Sequence, residues 1–269
     1  MKAFSLAFVL TLLAVVVPVS ADEHNGIDPE ALIERILAVD HEQREQIHDL
    51  TLDAEYIEQE DKGDEGMVEK LRLVKKIYIK YFADSAWYHE DFLEMYKDGE
   101  LQSDKDLQAE AKDRREKKAK RKGRDISYPI LRPFYPEYRG LFDVEYVGVA
   151  AERIQDRVCH QFRVRAKEEV DSLINGDYYF EAEGFHLVEV DFSPAKLVKK
   201  TMFKLSELEM TIIYGPNSES YWLPKEFEVR GKGKAALFFG VTFAGTEYYS
   251  NPVVNSGLDD SIFEVGDGN

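Results

Sequence analysis

Apolar positions recur along this chain with two different periods, and the changes of period divide it. Phe4 to Val17 is almost wholly apolar. Between residues 29 and 48 the spacing is helical: Leu32, Ile33, Ile36 and Leu37 share a face that Ile47 continues. Asp28-Pro29-Glu30 supplies an N-cap acceptor, a proline at the first helical position and an acid at the positive end of the dipole. One amphipathic helix over 29–48 is therefore expected. From residue 50 the period falls to two, in 50–58, 68–83 and 86–96, with Gly63, Gly66 and Asp84-Ser85 as turn points. Residues 103–124 interrupt this. They are rich in Ala, Glu, Lys and Arg, with Leu107 the only large apolar residue, and they predict a solvated helical insertion. "ISYPILRPFYPEYRG" (126–140), with three prolines and four aromatics, predicts an extended, packed connection.

Period two then returns for most of the second half: 141–149, 157–167, 174–182, 186–193, 197–213, 219–230 and 235–249. Turns are expected at Asn175-Gly176, Glu183-Gly184, Gly215-Pro216-Asn217 and Gly231-Lys232-Gly233. Val188, Val190 and Phe192 alternate with Glu189 and Asp191, and Phe162 and Val164 with Arg163 and Arg165, as in a sheet with one solvated side. Strand follows strand without an intervening helix, so the sheet should be antiparallel. The fold class is mainly β (α+β), one curved antiparallel sheet with an N-terminal helix and a charged helical insertion. With no internal repeat and no second linker, residues 22–269 form a single domain.

The opening apolar run changes the picture of compartment. Lys2 precedes it, Pro18 ends it, and Val19-Ser20-Ala21 offers the small residue favoured at a signal cleavage site, so 1–21 predicts an export signal. The run is short for a membrane span, and no later stretch approaches the roughly 20 apolar residues a span needs. Cys159 is the only cysteine, which excludes an intramolecular disulfide and fits a bacterial periplasm better than a small secreted module. At 44% apolar and 12% aromatic the chain can bury a real core. Its net charge of −17 argues against nucleic acid as a partner. Residues 112–124 run the other way, with nine Lys or Arg against two acids. Arg114 to Arg124 is either a solvated face balancing an acidic sheet or a contact for an acidic envelope protein or anionic membrane surface.

Candidate chemistry is sparse. No G-x-S-x-G elbow occurs, and Gly231-Lys232-Gly233-Lys234 lacks the spacing and hydroxyl of a P-loop. His41, Glu45 and His48 would stack on one helical face, but the outer pair are two turns apart, about 10 Å, too far to close on one ion unaided. Adjacent on a strand, Cys159 and His160 face opposite sides and cannot act as nucleophile and base. His89-Glu90-Asp91 clusters titratable groups near Trp87, as polar residues at turns often do. No catalytic set, metal or cofactor is expected.

The order of segments, with "GDYYFEAEGFHLVEVDFS", "YWLPKEFEVRGKGKAALFFGVTFAG" and the ending "LDDSIFEV", resembles the LolA-like superfamily of periplasmic lipoprotein carriers and outer-membrane lipoprotein-sorting proteins. That resemblance spans most of residues 29–265. It implies an unclosed β-barrel with helices across its concave side, and a periplasmic carrier or sensor whose hollow holds a lipid or lipoprotein acyl chain without catalysis. The residues that the strand phases put nearest such a hollow are Ile79, Tyr81, Trp87, Phe92, Phe180, Val190, Phe203, Met210, Trp222, Phe227, Phe239 and Phe243. The alternative is an envelope interaction or structural protein whose core is full.

Overall fold

The structure, a computed structural model, describes residues 27–82, 85–119, 130–170, 172–197, 199–200, 203–235 and 239–263. The expected export signal and residues 120–124 of the basic window lie outside them. Two helices, α1 (Pro29–Gln46) and α2 (Asp104–Ala119), accompany twelve strands among the described residues. In chain order these are β1 (Asp49–Asp61), β2 (Met67–Tyr81), β3 (Ala86–Lys97), β4 (Glu100–Leu101), β5 (Phe142–Val149) and β6 (Cys159–Ala166). There follow β7 (Ile174–Glu181), β8 (Leu187–Pro194), β9 (Lys199–Lys200), β10 (Phe203–Pro216), β11 (Trp222–Ala235) and β12 (Phe239–Val254).

All twelve join one antiparallel sheet, ordered β4-β3-β2-β1-β12-β11-β10-β8-β7-β6-β5, with β9 paired to β10 off that path. The outermost strands, β4 and β5, do not meet. The sheet is therefore open and curved, not a closed barrel, and at 56% strand the fold is mainly β as expected. The long pairing of β1 with β12 joins the N-terminal β1–β4 meander to the C-terminal one.

One cross-strand row defines the faces. Tyr146, Phe162, Tyr178, Val190, Ile212, Phe227, Glu247, Tyr56, Leu73 and Met95 lie opposite one another in turn across ten strands. Period-two geometry puts all ten side chains on the same side, the inner face. Helix α1 covers one end of that face. Asp28 caps it by accepting from the Glu30 N–H at 3.0 Å, Pro29 opens it, and Leu32, Ile33 and Ile36 bury against β5 to β8. The proline-rich connection fills what α1 leaves. Its backbone forms two 3-10 turns, Arg132–Phe134 and Arg139–Leu141, not the extended run expected, and this compact path drives Phe134 into the core. There the Phe134 ring is fully buried, edge-on to Phe162, Tyr178 and Phe180 at 5.1–5.6 Å. A bidentate Arg139–Glu30 pair and a bond from the Tyr135 hydroxyl to Asp40 at 2.5 Å tie the segment to α1.

Helix α2 covers the other end of the same face. Ser103 caps it by accepting from the Asp106 N–H, and Leu107 and Ala111 bury against Leu73, Phe92 and Met95. The helix is therefore docked along a narrow apolar stripe rather than wholly solvated. Two expected glycine turns are corrected: Gly176 lies inside β7 and Gly231 inside β11. Each is needed for close approach, not for a bend. A Cβ at Gly176 would lie 2.7 Å from the Asp191 carbonyl oxygen, and one at Gly231 would lie 2.3 Å from the Phe243 ring.

Candidate functional site

The inner face is filled at both ends and unevenly covered in the middle. Phe180 and Val190 are fully buried in the α1 core, and Phe92 lies under α2, so these three predicted site residues are packing residues. Across β10, β11 and β12 the same face carries Met210, Ile212, Phe227, Val229 and Phe243, all only half-buried. The Phe243 ring lies over Gly231, while the Tyr56 ring and the Val229 side chain both crowd Gly245. Aromatic rings over cross-strand glycines give this strip a smooth apolar floor.

Ile79 and Tyr81 lie on the same face along β2, but on the other side of the row from Val229 and Phe243, toward the start of β1. Ile79 packs with Leu50, Ile77 and Tyr249. Tyr81 and Tyr88 are 40% and 39% exposed, yet burial holds both hydroxyl pKa values above the usual tyrosine range. Both side chains are thus partly exposed and partly surrounded by protein. Tyr214 and Tyr249 share this state: both are half-buried, burial raises both, and each feels the other or a neighbouring tyrosine. The four hydroxyls run from the Asp40–Arg44 pair of α1, 2.7 Å apart, toward the middle of the sheet.

There they meet charge. Lys75, on β2, is 7% exposed, and its ammonium nitrogen lies 2.5 Å from Glu90 Oε1 on β3 and 2.8 Å from Glu247 Oε1 on β12. To reach Glu247 it crosses β1, where the small Ala54 directly beside it leaves room. Burial alone would pull the Lys75 pKa down, but Glu247 and Glu90 outweigh it and the pKa is raised. The Tyr88 hydroxyl donates to Glu90 at 2.8 Å. Tyr56, beside Glu247 in the row, is pushed up to about 12 by burial and by the charge of Glu58, with the Arg114 guanidinium 5.5 Å from its ring.

Sequence phase misplaced two of the other predicted residues. Trp87 pairs with Lys80, on the outer face, and its ring meets Phe82 at 4.7 Å and Phe263 at 5.8 Å. A strand phase read without its partner's register put it on the wrong side. Trp222 is buried between the His186 ring and the Arg157 guanidinium, each 4.7 Å away, and Gln43 of α1 bonds both its backbone groups. That environment leaves it no open face. The side chains of Phe203 and Phe239 lie outside the described residues, although their backbones pair with Ala235 at one end of β10 and β12.

Lys75, Glu90 and Glu247 were not predicted. Each was signalled by a charge in apolar phase: Lys75 between Leu73 and Ile77, Glu90 between Tyr88 and Phe92, Glu247 between Gly245 and Tyr249. Elsewhere, His41 pairs with Glu45 at 3.3 Å on the exposed side of α1, and His89 bonds Asp91 at 2.9 Å. Among the described residues no group of three or more His, Cys, Asp or Glu side chains could hold a metal ion. Cys159 is fully buried, and desolvation pushes its thiol up to about 11. A shallow depression of about 530 Å³ near Arg165, Asp177, Asp191 and Glu209 opens on the outer face, opposite the apolar strip.

No family model matches the chain, and no curated protein matches it. Solved structures do resemble it. A domain named for outer-membrane lipoprotein sorting from Vibrio parahaemolyticus has 9% identity and a TM-score of 0.45, over 86% of this chain and 97% of that one. A DUF1329 family protein from Desulfovibrio piger has 13% identity and a TM-score of 0.45, over 89% and 98%. A LolA superfamily protein from Nitrosomonas europaea has 10% identity and a TM-score of 0.34, over 88% and 97%. At these values the likeness carries no weight for function. The open antiparallel sheet with helices against one face that the sequence led us to expect is present in the fold itself.

Proposed function

We propose that this chain is an exported, non-catalytic binding protein that holds the acyl chain of a lipid or lipid-modified protein against the inner face of its open sheet. The observation that carries this reading is the half-buried strip of Met210, Phe227, Val229 and Phe243 between two filled ends of one face. Accessible apolar side chains inside a curved sheet gain on the order of 25 cal/mol per Å² when an apolar ligand covers them. Nothing in the strip is nucleophilic or acid–base active, so it binds without reacting. Its setting is the periplasm, and no cofactor takes part.

Two measurements test this on the mature protein purified from a cell-envelope extract. Native mass spectrometry with solvent extraction reads any retained ligand, and an uncharged naphthylamine dye reads an accessible apolar site by its fluorescence. We expect an acyl-chain species near one per protein, and dye uptake that Val229→Asp weakens at least tenfold. An empty protein that takes up no dye overturns the reading. It would leave the runner-up, an envelope interaction protein, which the tight packing of Phe134 and Phe92 at the two ends also favours.

A further inference from the structure

We propose that the Glu90–Lys75–Glu247 centre selects the head group of that ligand, accepting an amine and turning away an anion. The inference rests on the acyl-chain reading above and adds the chemistry of the ligand's polar end. In the inner row of ten residues, Glu247 is the only charged one, and it lies directly opposite Phe227 of the apolar strip. A ligand lying on Phe227 and Val229 therefore brings one of its ends to this carboxylate or beside it.

The centre holds two carboxylates and one ammonium, so it has an excess of one negative charge. Arg44 is paired with Asp40 at 2.7 Å and Arg114 with Glu110 at 2.9 Å, while Glu58 adds a further carboxylate beside Tyr56. Glu90 and Glu247 keep 20% and 14% of their side-chain surface, whereas Lys75 keeps 8%. Around them stand the rings of Tyr56, Tyr88 and Tyr249. Desolvation raises the last two hydroxyls most, and the charges of Glu90 and Glu247 raise both further, as expected in a negative potential. Carboxylates that accept hydrogen bonds, with tyrosine side chains beside them, are the chemistry that recognises an ammonium group. A purely structural role is met more cheaply by apolar side chains of similar volume, because buried ions bear a desolvation penalty.

The test compares alkyl amine, alcohol and carboxylate of one chain length as competitors of the naphthylamine dye at neutral pH. We expect the amine to compete at least tenfold better than the carboxylate, with the alcohol between them. Glu247→Gln removes the single excess charge, and should bring amine and carboxylate within about threefold while leaving the alcohol's affinity within about twofold. Glu90→Gln provides the same readout if Glu247→Gln fails to fold, as judged by circular dichroism. Equal competition by amine and carboxylate in the parent, or a preference that survives both substitutions, overturns the head-group inference alone. Failure of all three compounds, the alcohol included, overturns the acyl-chain reading beneath it.

Discussion

Removing the ammonium of Lys75 should cost more stability at neutral pH than at acid pH. In Lys75→Met the side chain keeps much of its length and volume, but both carboxylates lose their shared cation. Each lies within 2.8 Å of the same nitrogen, so their nearest oxygens are at most about 5 Å apart. At an effective dielectric of about 20, two negative charges at that distance repel by about 3 kcal/mol. This agrees with the lower end of the range of about 3–5 kcal/mol for breaking a buried pair, as suits carboxylates that keep some contact with water. The folded variant relieves the repulsion by protonating one carboxyl, so that group's folded pKa rises above its unfolded value near 4.3. A raised folded pKa means that the native state holds a proton the unfolded chain has released. Stability from that proton is fully present below the unfolded pKa and is lost as pH rises through the folded one, by up to about 1.4 kcal/mol per pH unit. Urea unfolding followed by circular dichroism should therefore show a deficit of about 3 kcal/mol at pH 7.5 that shrinks to about 1.5 kcal/mol near pH 5.5. A deficit below about 0.5 kcal/mol at pH 7.5, or one that does not change with pH, would refute the ion centre as drawn.

Two further substitutions probe the floor of the strip and the end of the chain. Gly231→Ala places a methyl group 2.3 Å from Phe243 Cζ and 2.7 Å from Cε1, so the ring must leave its seat. The melting temperature should fall by an amount equivalent to about 1–3 kcal/mol, and dye affinity should change with it; an unchanged melting temperature would mean the ring is not held there. Asp49 is 4% exposed and accepts hydrogen bonds from the Ser256 N–H and hydroxyl and the Gly257 N–H at 2.8–2.9 Å. Burial would raise its pKa, but these bonds and that from Leu258 outweigh it and hold the carboxyl below the usual aspartate range. Asp49→Ala should lose about 1–3 kcal/mol at neutral pH. Because the folded pKa is depressed, the stability from Asp49 is present above about pH 4 and is lost as pH falls through the folded value, so thermal melts of parent and variant should converge in acid.

Elements with a strong period were legible in the sequence. Helix α1 was expected over 29–48 and runs from Pro29 to Gln46, and most strands lie within a few residues of their expected bounds. The errors arose where a residue type has two physical uses. Gly231 and Gly176 read as turns because glycine permits them, but both serve as places where another group presses against the strand. Trp87 read as inward because it is apolar, although its register partner Lys80 assigns it to the outer face with Phe263. The ion centre was harder still. Lys75 lies in a run of alternating apolar and basic residues, and nothing local says that its partners are Glu90 and Glu247, on β3 and β12. Register is a property of pairs of strands, so a charge in apolar phase acquires meaning only when both partners are placed.

The position of the candidate site follows from a simple mismatch of widths. Strands lie about 4.8 Å apart, so the ten strands of the inner row span roughly 45 Å along the curve of the sheet. A helix with its side chains is about 10–12 Å across and covers two or three strands. Helix α1 and the 3-10 segment around Phe134 cover β5 to β8, and the apolar stripe of α2, Leu107 and Ala111, covers β2 and β3. Between them, Met210, Val229 and Phe243 of β10, β11 and β12 are covered by neither helix among the described residues, although the C-terminal end of α1 reaches Trp222 of β11. That some inner surface would remain uncovered was thus implicit in a sequence with many strands and two short helices. Which strands it would be depended on β12 returning to pair with β1, and that pairing also brings Glu247 within reach of Lys75. One long-range pairing therefore sets both the apolar strip and the charge beside it, so altered register between β1 and β12 should abolish acyl-chain binding and amine preference together.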